Sequence, residues 1–342
     1  MKSVRVSNPS NSAPWRAQIA GGLHTAFIGL LLLIGPLSPT HGGAVETVDS
    51  EPSDGAKSEL IKSMQERAKV IRSGTEIDFA HITWEVDEAH QQLAFDTLAK
   101  FAATSCSGAI FKSPEAASSS ANASRAELSR LLGPAASEPI RWKILFFGEK
   151  VRFEKRVPDS IFKAVAARGL RYPEDPATDW IYTESTISEY RHDGNTLTVK
   201  HLSPKDAYPF PFYSLDLSLS RFNPTPEAIE ATHLDSDGRA ETLRWGSEKF
   251  EVSLEIEKQN LLGIKLTMKE TAGPLRQETI FGGGWPTKRG QALPNSVLDV
   301  KHLVTKKAYL IDLYSFAQVS SEVRAKDVSL ETKADTQVYD EE

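Results

Sequence analysis

Two hydrophobic periodicities divide this chain. Leu60, Ile61, Met64, Ala68 and Ile71 recur at helical spacing, with Ser58 placed to cap the first turn and Gly74 to stop the last. They predict one amphipathic helix of about four turns. Leu93, Leu98 and Phe101 give a weaker second helical pattern. The stretch 113–138, mostly Ala, Ser and Pro, predicts a long exposed loop with room for a short helix at Ala126–Leu132.

Beyond that loop the period falls from 3.6 to 2. The run RWKILFF from Arg141 and the alternation of Val151, Phe153, Lys155 and Val157 with Arg152, Glu154 and Arg156 form a hairpin through Gly148-Glu149. Trp180–Tyr190 leads through Asp193-Gly194-Asn195 to Leu197 and Val199, a second hairpin. Leu215, Leu217 and Leu219 alternate with Asp216, Ser218 and Ser220 and predict another strand. Phe250, Val252, Leu254 and Ile256 alternate with polar residues, and Ile264, Leu266 and Met268 return after Gln259–Gly263. Val297–Val304 pairs with Tyr309–Phe316. With Glu76–Val86 and Leu243–Trp245 the count reaches nine to eleven half-buried antiparallel strands.

A sheet of about ten strands is near 45 Å wide, whereas a 15-residue helix is about 22 Å long. One such helix leaves most of the apolar face bare. Leaving even six large side chains uncovered would forgo on the order of 10 kcal/mol of burial, comparable to a domain's net stability. The sheet must therefore curl on itself, split into a sandwich, or reserve part of its inner face for an apolar ligand.

The 342 residues, 40% hydrophobic and 25% charged, describe a globular chain of one or two domains. The first 44 carry Lys2, Arg5 and Arg16, no acid, and the apolar run AFIGLLLLI from Ala26 to Ile34. This is the layout of a signal peptide spanning 1–44, with cleavage expected after Ala44. The alternative is an uncleaved anchor, since Ala17–Leu37 has no formal charge and just enough length for a bilayer. Either way the chain is exported, to the periplasm or the extracellular space, and touches membrane only through the leader or transiently. Losing three cations would take the net charge from −6 to −9, with acids and bases interspersed, so no nucleic-acid partner is expected. Residues 45–57 read as a linker, 58–325 as a single curved-sheet domain, and 326–342 as an acidic disordered tail.

The order of elements carries a resemblance. An exported chain, an amphipathic helix ending in Ile71-Arg72-Ser73-Gly74, an immediate strand, successive hairpins and a late Trp285-Pro286-Thr287-Lys288 step look like the LolA/LppX-type lipoprotein carrier superfamily. The resemblance covers roughly residues 58–325 and rests on the pattern of elements. It implies a strongly curved antiparallel sheet, or unclosed β-barrel, lidded by one or two helices, with an apolar cavity for acyl chains.

Expected cavity residues are Leu60, Met64 and Ile71 on the helix, with Trp142, Ile144, Phe153, Phe250, Val252, Leu254, Ile264 and Leu266 on strands. The proline-broken run AYPFPFY offers Tyr208, Phe210, Phe212 and Tyr213 either as an apolar rim or as a loop plugging the core.

Catalytic chemistry has little support. His81 and His90, nine apart around Glu85, Asp87 and Glu88, fit no ligand spacing and read as a surface cluster. Asp235, Asp237 and Gly238 start like a calcium loop, but position twelve is Gly246, so a hairpin turn is expected. Glu184 and Glu189 differ by an odd number and would face opposite ways in one strand. Gly282-Gly283-Gly284 lacks the Lys-Ser/Thr of a phosphate loop and reads as a flexible connector, and His192 beside a turn reads as exposed. The dense basic hairpin is interrupted by Glu149 and Glu154, as in a solvated surface. One cysteine, Cys106, excludes an intrachain disulfide. No cofactor, metal or catalytic residue is expected.

The leading expectation is an exported, non-enzymatic protein that binds a lipid, acyl chain or other apolar ligand in the concavity of a curved sheet. The second is an envelope interaction or sensing module that contacts a protein through the Ala/Ser/Pro loop and acidic tail. The third is a hydrolase using His81, His192 or Glu184.

Overall fold

Alternating strands dominate the fold, as the period-2 pattern predicts. The computed structural model describes residues 54–342 apart from 134–138, 168–176, 203–209, 211, 221, 223–228, 235–237, 247–249, 272, 287–289, 321 and 342. The leader and its cleavage site, linker residues 45–53, Tyr208, Asp235, Asp237 and Thr287-Lys288 lie outside the described residues, whereas 54–57, expected as linker, are helical. Four helices are α1 (Asp54–Arg72), α2 (Gln91–Ser105), α3 (Pro114–Leu132) and α4 (Asp159–Ala166).

The strands in chain order are β1 (Glu76–Asp87), β2 (Ile140–Phe147), β3 (Lys150–Arg156), β4 (Ala177–Tyr182), β5 (Thr186–Arg191), β6 (Thr196–His201), β7 (Ile229–Leu234) and β8 (Ala240–Gly246). They continue with β9 (Phe250–Glu257), β10 (Gly263–Glu270), β11 (Leu275–Phe281), β12 (Gly284–Pro286), β13 (Ala292–Pro294), β14 (Ser296–Leu303), β15 (Ala308–Ser320) and β16 (Gln337–Glu341). Fourteen form one sheet in the order β16-β6-β5-β4-β3-β2-β1-β15-β14-β11-β10-β9-β8-β7, while β12 and β13 pair separately. Every neighbour is antiparallel except β16, which runs parallel to β6. Among the described residues β7 and β16 are the two ends of this sheet, so no barrel closes.

Curvature follows from what the segment 210–222 reaches. Its Phe210 ring lies 4.9 Å from Phe153 on β3, and Phe222 lies 6.0 Å from Trp245 on β8. Eight steps across a flat sheet would separate β3 from β8 by about 38 Å. A segment that is helical through Tyr213–Ser220 spans only roughly 25 Å, so the sheet must curl around it.

The two faces carry different covers. On the concave face, Ile77, Phe79, Ile144, Phe153, Leu243, Leu254, Leu266, Phe281, Val297 and Tyr314 form one cluster under α1 and residues 210–222. On the convex face, Ile82, Trp84, Leu298, Val300, Ile311 and Leu313 pack against Ala94, Leu98 and Phe101 of α2 and Leu128 of α3.

Four expectations are corrected. The supposed Ala/Ser/Pro loop is the helix α3. Ser113 caps it by accepting from the Ala116 amide, Pro114 fills the first turn, and Ala117, Ala121, Ser124 and Leu128 form the buried stripe against α2. The strand expected over Leu215–Leu219 is instead a helical turn (Tyr213–Leu215) running into a π-helix (Asp216–Ser220). Every residue from Ser214 to Ser220 is buried, so its two-residue alternation does not separate a wet face from a dry one.

The presumed disordered tail contains a short 3₁₀ turn, Ala325–Val328, and β16. Val323 and Val328 pack on Leu145 and Phe147, and Arg152 donates to the carbonyls of Asp327 and Ser329 at 3.1 and 2.8 Å. The glycine run is a close crossing rather than a loose connector: a Cβ at Gly283 would come within 2.5 Å of the Phe111 ring.

Leu128 ties α3 to the convex cluster with its side chain fully buried. Leu128→Ala is expected to lower stability by about 2–5 kcal/mol, read as a lower urea midpoint at unchanged slope.

Candidate functional site on the concave face

Following the inward phase along each central strand locates a boundary. On β1, Ile77 and Phe79 give way to His81 and Thr83; on β11, Phe281 gives way to Thr279 and Gln277. On β14, Val297 is followed by Asp299 and Lys301, and on β15, Phe316 and Tyr314 are followed by Asp312. Because β1, β15, β14 and β11 are consecutive neighbours, these substitutions line up into a polar row across an otherwise apolar trough.

The row is closely bonded. Asp299 and Asp312 sit opposite each other in register, and Lys301 lies 2.9 Å from Asp299 and 3.4 Å from Asp312. Thr83 donates to Asp312 at 2.6 Å, and His81 Nε2 lies 2.8 Å from the same oxygen. The imidazole stacks on Tyr314 with 4.7 Å between centroids. His81 is thus a partly buried member of this row, not part of a surface cluster. No group of three or more His, Cys, Asp or Glu side chains among the described residues could hold a metal ion.

Burial by itself would raise the Asp312 carboxyl, but Lys301, His81 and Thr83 outweigh it and hold the group well below the usual carboxylate range. Burial also pushes the Lys301 ammonium down, and Asp299, Tyr314 and Asp312 more than reverse it. Both groups therefore stay charged through the neutral range.

Residues 210–222 form a wedge over the trough. Phe212 meets Phe79, Trp142 and Tyr314 edge-on at 5.5, 5.0 and 5.4 Å. Ser218 donates to the Leu215 carbonyl and Ser220 to Asp216. From the other cover, α1, the buried Arg67 guanidinium donates to the carbonyl of Ser218 and, at 2.6 Å, to that of Ala292. Burial pushes the guanidinium down to about 10, which leaves it charged at neutral pH.

Of the expected cavity residues, Leu60, Met64, Ile71, Ile144, Phe153, Val252, Leu254 and Leu266 meet in the concave cluster, with Trp142 packed on its margin. Phe250 is half-buried at the start of β9. Ile264 lies elsewhere, beside Gly108 after α2. A register shift between Gly263 and Lys265 makes it an extra residue out of phase with Leu266. Phe210 and Phe212 are buried, whereas Tyr213 is 42% exposed.

Two open clefts, about 410 and 530 Å³, are lined mainly by outward-phase residues such as Glu251, Thr267 and Lys269 in one and Asp78, Arg141 and Glu154 in the other. Neither is an enclosed chamber. Glu184 is exposed in the β4–β5 turn while Glu189 pairs with Arg191, so no carboxylate pair forms. His192 is half-buried within 3.2 Å of Asp179, which also accepts from Arg152 and Arg156 at 2.8 and 2.7 Å.

The polar row, Arg67 and Ser214 were not anticipated. A signal existed: Asp299 and Asp312 each occupy an inward-phase position inside a long apolar strand, where only a partnered carboxylate is tolerated.

No protein-family model and no curated protein matches this chain. Among solved structures, its chain course is similar to that of a LolA superfamily protein from Nitrosomonas europaea, at TM-score 0.43 and 9% identity over 79% of this chain and 97% of that one. It is also similar to an outer membrane lipoprotein-sorting protein domain from Vibrio parahaemolyticus, at TM-score 0.45 and 10% identity over 81% and 97% of the two chains. A DUF1329 family protein from Desulfovibrio piger follows at TM-score 0.37 and 9% identity, covering 81% and 95%.

Lys155, buried on β3 with its ammonium 5.7 Å from the Trp142 ring centroid, supplies a test of this environment. Burial pushes it down to about 8 against a raising pull from Glu189. A folded value below the unfolded one means that holding the charge costs stability at neutral pH, and that the cost fades as pH rises from about 8 toward 10.4. Lys155→Met is expected to be more stable than the parent by about 2 kcal/mol at pH 7, with the gap closing above pH 8, read by urea unfolding across pH.

Proposed function

We propose that the concave face is a binding surface for an apolar or acyl-chain ligand, and that the wedge 210–222 occupies it until a ligand takes its place. The supporting observation is the make-up of the wedge. It buries Phe210, Phe212, Leu215, Leu217 and Leu219 as a ligand would, yet it is built on a π-helix and takes Ser214, Asp216, Ser218 and Ser220 into the interior. Two of these hydroxyls bond within the wedge itself, so withdrawal carries those bonds out and strands few sheet groups. The trough left behind is a continuous surface of Phe79, Trp142, Phe153 and Tyr314, and the buried Trp142 Nε1 has no hydrogen-bond acceptor among the described residues.

On this reading the protein is a non-enzymatic carrier or binding protein, exported by the leader at 1–44 and working in the periplasm or outside the cell. No helix among the described residues is long and apolar enough to cross a membrane. The leader supports export because its charged, apolar and small-residue regions come in the required order.

A second reading has an observation of its own. β16 lies at an end of the large sheet with Val338 62% and Tyr339 53% exposed, an edge suited to strand addition by a protein partner. Crosslinking in cells to a stoichiometric protein, with no lipid in an organic extract, would favour it.

Weakening the wedge tests the leading reading. Phe212→Ala removes its central aromatic contact and is expected to tighten binding of an environment-sensitive fluorescent fatty-acid probe by severalfold, because less of the binding free energy goes into displacing the wedge. Absence of saturable binding in both parent and variant would refute it.

A further inference from the structure

Ser214 brings a hydroxyl to the middle of the polar row, and its surroundings specify what that position accepts. Its Oγ donates to Asp299 Oδ2 at 3.1 Å and accepts from Gln277 Nε2 at 2.9 Å. The orientation of the Gln277 amide is settled by chemistry. Nε2 also lies 2.8 Å from Asp299 Oδ1 and 3.0 Å from Oδ2, so one N–H is shared between the two carboxylate oxygens and the other goes to Ser214; a carbonyl oxygen in that place would face a carboxylate. Thr279 lies 3.4 Å from Ser214, but its single proton goes to Asp299 Oδ1 at the shorter 2.8 Å.

Asp299 thus keeps three partners from the sheet, Gln277, Thr279 and Lys301, and receives the fourth from the wedge. When the wedge leaves, one carboxylate lone pair and one amide N–H remain in the polar row, both aimed at a single point, and on α1 the Arg67 N–H loses the Ser218 carbonyl. The group that fills that point must donate and accept at once. A hydroxyl does both. An ammonium donates but has no lone pair for Gln277. A carboxylate or phosphate accepts, but it offers Asp299 no proton and approaches two carboxylates, Asp299 and Asp312, that share the single ammonium of Lys301. An alkyl end leaves both the donor and the acceptor unmatched, and an ester accepts from Gln277 but leaves the buried Asp299 lone pair without a donor.

Resting on the reading of the concave face as a ligand site, we infer that its ligand is a neutral amphiphile with a hydroxylated head, of the acylglycerol or glycolipid class. The head hydroxyl takes the place of Ser214 Oγ between Asp299 and Gln277, and the chain takes the place of Phe212 and Leu215 against Phe79, Trp142 and Tyr314. The wedge is in this sense a built-in copy of the ligand, with a hydroxyl beside a greasy flank.

The test uses four compounds with the same lauroyl-length chain: monolauroylglycerol, methyl laurate, lauric acid and laurylamine. Binding to the full mature chain and to Phe212→Ala is read by quenching of tryptophan fluorescence. Monolauroylglycerol is expected to bind about tenfold or more tightly than each of the others. Gln277→Leu, a neutral-for-neutral change, is expected to bring it down to the level of methyl laurate, and Asp299→Asn to do the same.

If none of the four binds, the reading of the face fails and the head assignment with it. If all four bind alike, or the acid or amine binds best, the hydroxyl assignment fails while the apolar site stands. Should Asp299→Asn not fold, Gln277→Leu decides alone, and retention of the preference in it overturns the inference.

Discussion

A curved sheet with an apolar inner face cannot leave that face in water, and most of this structure follows from how the face is covered. One helix, α1, is too narrow for the trough. The chain closes the gap by laying residues 210–222 across strands that flat geometry would hold far apart. The helical pair α2–α3 makes the same kind of contact on the convex side, where a regular stripe of Ala and Leu suffices. The two covers differ in kind. The convex one is a regular helical hairpin, whereas the concave one is short, irregular and polar at intervals.

That irregularity links packing to chemistry. Buried hydroxyls and carboxylates are tolerated only when partnered, and here the partners divide into two sets. Ser218 and Ser220 bond within the wedge, while Ser214 bonds to the sheet through Asp299 and Gln277. The first set holds the segment's own shape and makes no demand on the sheet. The second couples its position to the charged row of Asp299, Lys301, Asp312 and His81. Arg67 adds a tether from α1 through the Ser218 carbonyl, so the two concave covers hold one another. Binding at this face would exchange one apolar occupant for another rather than fill a void, which fits the burial of Phe212, Leu215 and Leu219 against the trough.

Period-2 alternation and helical spacing determined a good deal. β1 and the β14–β15 pair were legible as apolar runs of strand length, covered on both faces, and the β2–β3 hairpin and the β9–β10 pair because apolar and polar positions alternate along them. α1 was legible for the same reason at 3.6 residues per turn, and the excess of apolar strand surface implied curvature before any coordinates. Eight of the eleven residues expected to line the concavity are in its cluster because phase alone assigns a side to each. The failures have equally local causes. Ile264 lost its phase to a bulge, and α3 hid behind a composition that also suits loops, although Ser113-Pro114 and the Ala spacing marked its start and face.

What only the tertiary structure decided is everything that depends on two distant segments meeting. Leu215–Ser220 alternates like a strand, but between two apolar surfaces both of its phases are buried, and alternation then says nothing about pairing. Its π-helix is packed in a cluster whose members come from strands and a helix far along the chain, and Arg67 bonds its Ser218 carbonyl from 151 residues away. Asp299 and Asp312 each stand out as a carboxylate in an apolar phase, but they become a site with Gln277 and His81 only because β1, β15, β14 and β11 lie side by side in an order the sequence does not follow. A pattern of burial is written residue by residue, whereas a partner is chosen by topology, and the chemistry of this face is a matter of partners.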